Sequence, residues 1–543
     1  MANPSTAQVR RTPWRAHPVF LAGLTASLIW LPATLLLPRK PMVALMGVPE
    51  VGWLLLGLLG LASVRPDLAQ HSLVRGVVVA AWGGFGLFGV AWAASVIATD
   101  ELLPLYDLML LVQPVAVFIA DLAGPVAPVA VVVLGSIAAI ALLWFASVAI
   151  GHLTQASQHR GTVVTVALIG ATVGSALHGP WSPTIVSNLA ESIALHDHIE
   201  ERVVSRTDLV ARELTTTPDV RVYVIESYGD VLFEGAIAPT HRATLAKLEG
   251  PLRAAGWTIA SGRGISPTHG GRSWMADATL LTGIHVDRQA TFDHVARRGR
   301  SIPSLTRFFA DRGYATVLVR PKDRVRPGVR LVNHFGFETT VFHDDLDYQG
   351  PKVGWGFIPD QYTIEVAERR FVAPIEDPLF AFFHLATSHH PFRESPPILD
   401  DAQEWQTMEG YRGHWNRKPV PALWMTFARY RSELADVEDK YGATYAAYQA
   451  VVGYDLEVLA TRLAPPTRPT LMLWLGDHQP PFLAEGHPPY SVIHVLASDP
   501  AWLDPFLAEG FQPGLDPGPR GEPTLRFDDL FERILDALAP MST

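Results

Sequence analysis

A single hydroxyl, Ser273, follows two glycines, Gly270 and Gly271, and opens the run Arg272-Ser273-Trp274-Met275-Ala276-Asp277. A short apolar, helix-compatible stretch carries on from it to Leu280-Leu281-Thr282-Gly283. A hydroxyl at a helix N-terminus lies in a field that favours negative charge, so a phosphate or an alkoxide is welcome there. A serine in that place is also an ordinary N-cap. Upstream, Val222-Tyr223-Val224-Ile225 runs into Glu226-Ser227, and downstream, Leu471-Met472-Leu473-Trp474-Leu475 runs into Gly476-Asp477-His478. Two carboxylates and an imidazole are ligands that suit Mn²⁺, Mg²⁺ or Zn²⁺. A metal held by Glu226, Asp477 and His478 would also bind Ser273, lower the pKa of its hydroxyl and orient it for attack. Taken singly, Glu226 reads as a strand-end cap and Asp477-His478 as a turn. Taken together, buried-type strands that end in ligands, with a hydroxyl between them in sequence, read as a metal site.

Ser273 lies nine residues before Thr282 of Leu281-Thr282-Gly283. That is the spacing at which sulfatases and their phosphotransferase relatives in the alkaline phosphatase superfamily carry the nucleophile. The chain most resembles lipoteichoic acid synthase-like phosphoglycerol transferases, with lipid A phosphoethanolamine transferases as cousins. The resemblance covers nearly the whole chain, membrane segments first and a soluble domain after. It implies Glu226, Ser273, Asp477 and His478 as metal ligands and Ser273 as nucleophile. Two departures stand out. The sulfatase motif Cys/Ser-x-Pro-Ser-Arg reads Ser273-Trp274-Met275-Ala276-Asp277 here, which speaks against sulfate-ester hydrolysis. The nearest transferases usually carry threonine where this chain has Ser273, and serine does the same chemistry without the methyl group.

Ala386-Thr387-Ser388-His389-His390-Pro391-Phe392 resembles the family's Ser-Asn-His-x-Pro-Phe element. It implies His389 as a substrate-binding residue able to donate to a phosphate oxygen or protonate a leaving alkoxide. His390 is the alternative if the register slips, and a surface turn fixed by Pro391 is the plain reading. His487, nine residues after His478, is a further candidate for a second phosphate contact or a metal ligand. The segment from Gly313-Tyr314 to His334-Phe335-Gly336 resembles the one that carries an arginine for the phosphoryl group. Arg324, Arg326 and Arg330 compete for that role, and Arg330 is preferred. Trp355-Gly356, followed by Asp360, resembles a Trp-Gly turn whose ring lines the head-group pocket, although a buried indole reads equally well.

These residues need strands to place them. Apolar strands are expected at 219–226, 315–320, 379–386, 470–476 and 491–497, and helices at 240–255, 302–312, 360–371, 424–463 and 524–538. Alternation of this kind argues an α/β sheet with helices on both faces, in which ligands gather at the carboxyl ends of strands. Glu226, His389 and Asp477 all fall at or just past predicted strand ends. The Pro/Gly-rich stretch 513–523 reads as a surface loop.

The chain of 543 residues is long enough for more than one domain. It is apolar overall, with a mean hydropathy of +0.18, because of its first 180 or so residues. Apolar spans at 18–37, 43–64, 76–98, 127–150 and 162–178 are each near the ~20 residues a helix needs to cross a bilayer. The first span has no small-residue cleavage site and more spans follow, so a removable signal peptide is a poor reading. The stretch 103–122 contains Asp107, Gln113, Pro114 and Asp121, and reads as interfacial or re-entrant. Five spans put Arg10, Arg11, Arg15, Arg65, Arg75 and Arg160 on the cytoplasmic side, in accord with the positive-inside rule. Arg39 and Lys40 count against it and are outnumbered.

The expected architecture is an N-terminal transmembrane bundle of about five helices over 1–180, a connector at 181–217 with an amphipathic helix around 184–213, and an α/β sulfatase-like domain over 218–543. That domain would face the periplasm or cell exterior from a bacterial inner membrane. A net charge of −10 without a long basic run speaks against nucleic acid. There is no cysteine, so no disulfide framework and no thiolate metal site. Since the phosphoethanolamine transferases of this type usually carry disulfides, the resemblance leans toward the phosphoglycerol cousins. It implies a divalent metal, Mn²⁺ ahead of Mg²⁺ or Zn²⁺. It also implies transfer of phosphoglycerol from a phospholipid such as phosphatidylglycerol to a glycan or glycolipid hydroxyl through a covalent phospho-serine. Phosphoethanolamine transfer and phosphodiester hydrolysis are the alternatives in the same class. A non-catalytic membrane protein that binds glycan or lipid is the alternative in another, and the complete Glu-Ser-Asp-His set argues against it.

Overall fold

In the computed structural model, residues 71–73, 76–77 and most of 190–539 are described. Outside the description within the latter range lie 191–193, 195–196, 198, 205, 208, 300, 326–330, 355, 391, 393, 412–440, 464, 482, 485 and 524. The expected spans, apart from residues 76–77, therefore lie outside it, as do Arg326, Arg330 and Trp355. Among the described residues no helix is long and apolar enough to cross a membrane. The chain divides into two compact units, the second beginning at Ala194, and the account below concerns that second unit.

Its strands are β1 (Asp219–Ile225), β2 (Thr258–Ile265), β3 (Ala315–Arg320), β4 (Thr339–Phe342), β5 (Leu379–His384), β6 (Thr470–Gly476), β7 (Tyr490–Ala497) and β8 (Gln512–Pro513). They form one eight-stranded sheet in the order β4-β3-β5-β1-β6-β7-β2-β8. From β4 to β6 all neighbours run parallel, and β7, β2 and β8 continue the sheet antiparallel. The central strands are buried on both faces, as a parallel sheet requires. Tyr223, Phe383, Met472 and Trp474 point into one core, and Val222, Val224, Phe380, Phe382 and Leu473 into the other. The first face is covered by α1 (Ala238–Ala254), α5 (Asp360–Ala367) and α6 (Tyr441–Arg462), through Leu245, Ile364 and Tyr448. The second is covered by α2 (Ser273–Thr282), α4 (Leu305–Ala310) and α8 (Phe527–Leu538), through Leu280, Leu305 and Ile534. Helices α3 (Gln289–Arg298) and α7 (Asp504–Ala508) complete the set named here.

Local chemistry trims several expected elements. Helix α4 starts at Leu305 because the Ser304 hydroxyl caps it, accepting from Arg307 N at 3.2 Å. Helix α5 ends at Ala367 and continues as a π turn over Glu368–Val372. Strand β5 stops at His384, two residues short of the expected end, because the Asp360 carboxylate takes the next backbone donors. It accepts from Ala386 N at 2.9 Å and Thr387 N at 2.7 Å. The described residues between 190 and 210 are helical, within the expected connector.

A buried hydrogen-bond chain sits behind β1. Ser261 Oγ donates to Gly514 O at 2.6 Å, so it must accept from His494 Nδ1 at 2.7 Å. His494 Nε2 then holds a lone pair and accepts from Tyr228 Oη at 2.9 Å, which leaves that oxygen to accept from His241 Nε2 at 3.2 Å. Both rings are neutral in this ordering. Burial, with Arg242 second, pushes His241 down to about 3, and burial, with His241 second, does the same to His494. Tyr448 Oη adds a second brace, donating to Ser227 O at 2.7 Å and accepting from Gly229 N at 3.1 Å. The turn after Glu226 is thus fixed from beneath.

Candidate metal and nucleophile site

The order β3-β5-β1-β6 places four strand ends side by side at the carboxyl edge of the sheet. Glu226 follows β1, His384 ends β5, Asp477-His478 follows β6 and Lys322 lies two residues past β3. Register aligns them further, with Val224 opposite His384 and Ile225 opposite Gly476. Gly476 allows the approach, since a Cβ there would lie 1.9 Å from Tyr228 O.

Ser273 is the first residue of α2 and not its cap. Arg272 holds the cap position in the left-handed region, with φ 65°, and makes no side-chain cap bond. Ser227, just after Glu226, is also left-handed at φ 59°. Such conformations cost on the order of 1–3 kcal/mol each and persist where surrounding structure enforces them. The buried Ser273 Oγ donates toward Glu226, 3.2 Å from Oε2, and lies 3.4 Å from His478 Nε2. The hydroxyl is therefore turned to the strand ends, beside Glu226 and His478.

His478 Nδ1 lies 2.8 Å from Gln479 O, so this nitrogen carries the proton and Nε2 faces inward. Nε2 is 3.4 Å from Glu226 Oε1 and 3.3 Å from Asp477 Oδ2. Asp477 Oδ1 accepts from Ser227 N at 2.7 Å and His478 N at 2.9 Å, while the buried Oδ2 accepts no hydrogen bond among the described residues. Two carboxylate oxygens thus converge on an imidazole lone pair. Acceptors at such distances need a positive charge among them, which a proton on Nε2 or a metal ion supplies. Burial opposes charge on His478, but Asp477 and Glu226 outweigh it and raise its pKa. Burial also opposes ionisation of Glu226, but Lys322 and His389 outweigh it and hold this carboxyl well below the usual range. The donor set fits a hard-to-borderline divalent cation.

Three residues of this cluster escaped the sequence reading. His384, fully buried, faces Glu226 Oε2 and Asp477 Oδ2 at 3.5 Å each through Nε2. Glu226, His384 and Asp477 each offer a ligand atom, all within 4.8 Å of one another. Asp277, one turn after Ser273 on α2, accepts from His384 Nδ1 at 2.8 Å and lies 3.7 Å from Arg320. Lys322 Nζ donates to Glu226 Oε2 at 2.6 Å and lies 2.9 Å from His384 Nε2. Burial pulls the lysine down, but Glu226 and Asp477 outweigh it and its pKa is raised. Burial likewise opposes His384, and Asp277 outweighs it, pushing the ring up to about 10. The short Lys322–His384 line accommodates one proton, so the pair acts as a single cation. A titratable residue at the end of an otherwise apolar strand was the available signal for His384.

The segment after β5 stands over this edge. Ser388 Oγ donates to Glu226 O at 2.7 Å. His389 is half-buried, its Nδ1 bonded to His390 O and its ring edge-on to Phe357 at 5.1 Å. His487 bonds Glu234 Oε1 at 3.1 Å. It lines a cavity of about 520 Å³ with Val231, Tyr445 and Gln449, and the hydrogen bond it makes there does not join it to the Glu226 cluster. Arg324 is exposed.

Among family models and curated proteins nothing matches the chain. Solved structures do. The integral membrane protein lipooligosaccharide phosphoethanolamine transferase A of Neisseria meningitidis is 12% identical, with 96% of this chain and 92% of that one covered and a TM-score of 0.40. The phosphoglycerol transferase GacH of Streptococcus pyogenes, solved with sn-glycerol-1-phosphate, is 12% identical, with 63% and 81% covered and a TM-score of 0.37. The lipoteichoic acid synthase LtaP of Listeria monocytogenes is 13% identical, with 54% and 71% covered and a TM-score of 0.33. These are the kinds of protein that the sequence resemblance named, and phosphoethanolamine and phosphoglycerol transferases stand among them together.

Proposed function

We propose that this chain is a membrane-anchored phosphotransferase that moves phosphoglycerol from a phospholipid to a glycan or glycolipid hydroxyl. The observation that carries this reading is the buried Ser273 hydroxyl, 3.2 Å from Glu226 and 3.4 Å from His478 at the carboxyl edge of the sheet. Glu226, Ser273, Asp477 and His478 are assigned as ligands of a divalent cation, Mn²⁺ ahead of Mg²⁺ or Zn²⁺. When bound, that ion lowers the hydroxyl pKa and offsets charge on the phosphoryl group. Ser273 Oγ, its proton released to solvent, forms a bond to phosphorus as the bond to the diacylglycerol oxygen breaks, and the alcohol leaves with a proton for which His389 is the assigned donor. An acceptor hydroxyl then gives its proton to His389 and attacks phosphorus as the bond to Ser273 Oγ breaks, which returns both groups to their starting states. Arg330, Trp355 and His487 are assigned to the donor head group on the sequence resemblance. In this reading 1–180 form the membrane domain, 181–217 the connector, and 218–543 the catalytic domain on the periplasmic or outer side of a bacterial inner membrane. A lipid donor gives a reason to tether that domain beside the bilayer.

The test is mass spectrometry of the full-length protein after incubation with phosphatidylglycerol or phosphatidylethanolamine and Mn²⁺. A phosphoglycerol increment on the Ser273 peptide is the expected result. A phosphoethanolamine increment would move the chain to the cousin activity with the same residues in the same roles. No increment with either lipid, together with turnover of one of them, would remove the covalent step.

A further inference from the structure

We propose that Lys322 is a tethered cation that competes with the divalent metal for Glu226 and His384, so that metal binding here is an exchange. The inference rests on the metal assignment made above and adds His384 to its ligands. Lys322 Nζ is 2.6 Å from Glu226 Oε2 and 2.9 Å from His384 Nε2. Glu226 and His384, with Asp477, are the groups whose ligand atoms lie within 4.8 Å of one another. The ammonium and a metal ion therefore call on the same two atoms.

The surroundings of His384 support its part as a ligand. Asp277 takes Nδ1 at 2.8 Å, which fixes the ring and aims Nε2 at Glu226 and Asp477. A carboxylate behind an imidazole whose other nitrogen faces an acidic cluster is the arrangement that orients metal-bound histidines. The surroundings of Lys322 support its part as a removable cation. Its side chain is only 12% exposed, yet it lies just beyond β3, and the next residues, Asp323 and Arg324, lead to the exposed surface. A four-carbon stem with a compact charge can turn outward where a rigid arginine fork could not. Two consequences follow. Without metal, Glu226 is not left as a buried unpaired charge, so the domain folds with the metal removed. With metal, the ion must displace the ammonium, and its affinity is lower than the same ligands would give without the lysine.

The experiment is calorimetric titration of the full-length protein, in its wild-type, Lys322→Met and His384→Gln forms, with MnCl₂ after chelator treatment. Folding is checked by thermal melts in chelator. Lys322→Met should bind manganese tighter by about tenfold or more, within the usual range for coupled binding events. His384→Gln should bind about 10- to 100-fold weaker, the range seen even when only a ligand's supporting partner is lost. A folded Lys322→Met protein with unchanged or weaker affinity would overturn the exchange and leave the metal assignment standing. Unchanged affinity in His384→Gln would overturn His384 as a ligand. No binding by wild type or folded Lys322→Met would sink both this inference and the metal site on which it rests. Amine-directed labelling of the wild type decides the matter if Lys322→Met does not fold. The Lys322 peptide should be protected in chelator and labelled faster with manganese, and equal or slower labelling with manganese would overturn the exchange.

Discussion

At the scale of single residues, the decisive fact is the direction of the Ser273 hydroxyl. As the first residue of α2 it makes no cap bond, so its loss should cost little stability. Its interactions with Glu226 and His478 are 3.2–3.4 Å long. Ser273→Ala should therefore shift stability by less than about 1.5 kcal/mol, the upper end for an ordinary hydrogen bond, while removing turnover. Ser273→Thr should keep part of the activity, since the resembling transferases usually carry threonine there. Diacylglycerol release from phosphatidylglycerol, measured for the three proteins in the same metal buffer beside urea melts, checks both expectations. Equal release by wild type and Ser273→Ala would show that the hydroxyl is not the attacking group. Glu226, Asp477 and His478 were legible as candidates because each lies at the end of an apolar run, where a titratable side chain stands out. His384, Asp277 and Lys322 were not, for separate reasons. A lone histidine in Phe382-Phe383-His384-Leu385 reads as a core residue. Asp277 becomes a partner only once α2 is known to face the strand ends. Lys322 joins the site only when β3 is known to lie beside β5.

At the scale of elements, strands with dense apolar side chains were legible and the others were not. The expected strands at 315–320 and 470–476 match β3 and β6. Strand β2, Thr-Ile-Ala-Ser-Gly-Arg-Gly-Ile, has too few large apolar residues to register as one. Its glycines let other side chains close over it, with Phe511 against Gly262 and Ile493 against Gly264. The polar devices that join elements were invisible as well. Asp360, at the start of α5, ties off the segment after β5 through Ala386 N and Thr387 N, and Asp455 of α6 is buried with it. Burial, then the charge of Asp360, holds the Asp455 carboxyl well above its usual value. A raised carboxyl contributes stability that is fully present below its unfolded value near 3.8 and lost as pH rises toward its folded pKa. Asp455→Asn keeps a neutral side chain at every pH. It should gain stability relative to wild type as pH climbs from about 4 to 8, with a slope of up to about 1.4 kcal/mol per pH unit. Chemical denaturation at several pH values reads this directly. A constant difference between the two proteins would mean that Asp455 is ionised in the fold like any surface aspartate.

At the scale of the whole C-terminal unit, the sheet brings together groups that respond to pH in opposite directions. Asp455, held well above its usual value, contributes stability that is complete below about 3.8 and lost as pH rises. His241 and His494 are lowered from 6.5 to about 3, so their contribution is complete above 6.5 and lost as pH falls toward 3. Glu226 and Asp477, lowered from 4.5 and 3.8, lose theirs only at more acid pH. Between about pH 6.5 and 5 the two neutral histidines around Tyr228 lower stability as pH falls, against the opposite pull of Asp455. In that interval the unfolded chain takes up protons that the folded hydrogen-bond chain refuses. Each ring should contribute a slope that approaches about 1.4 kcal/mol per pH unit near pH 5. His241→Gln tests the account, because its amide can still donate to Tyr228 Oη and does not titrate. The variant's stability should fall less steeply than that of wild type between pH 6.5 and 5, by up to about 1.4 kcal/mol per pH unit, whatever its absolute stability at pH 7. Denaturant melts of wild type and variant across that interval, in chelator so that no metal ion adds its own proton release, measure the two slopes. Identical slopes would mean that His241 is protonated in the folded state.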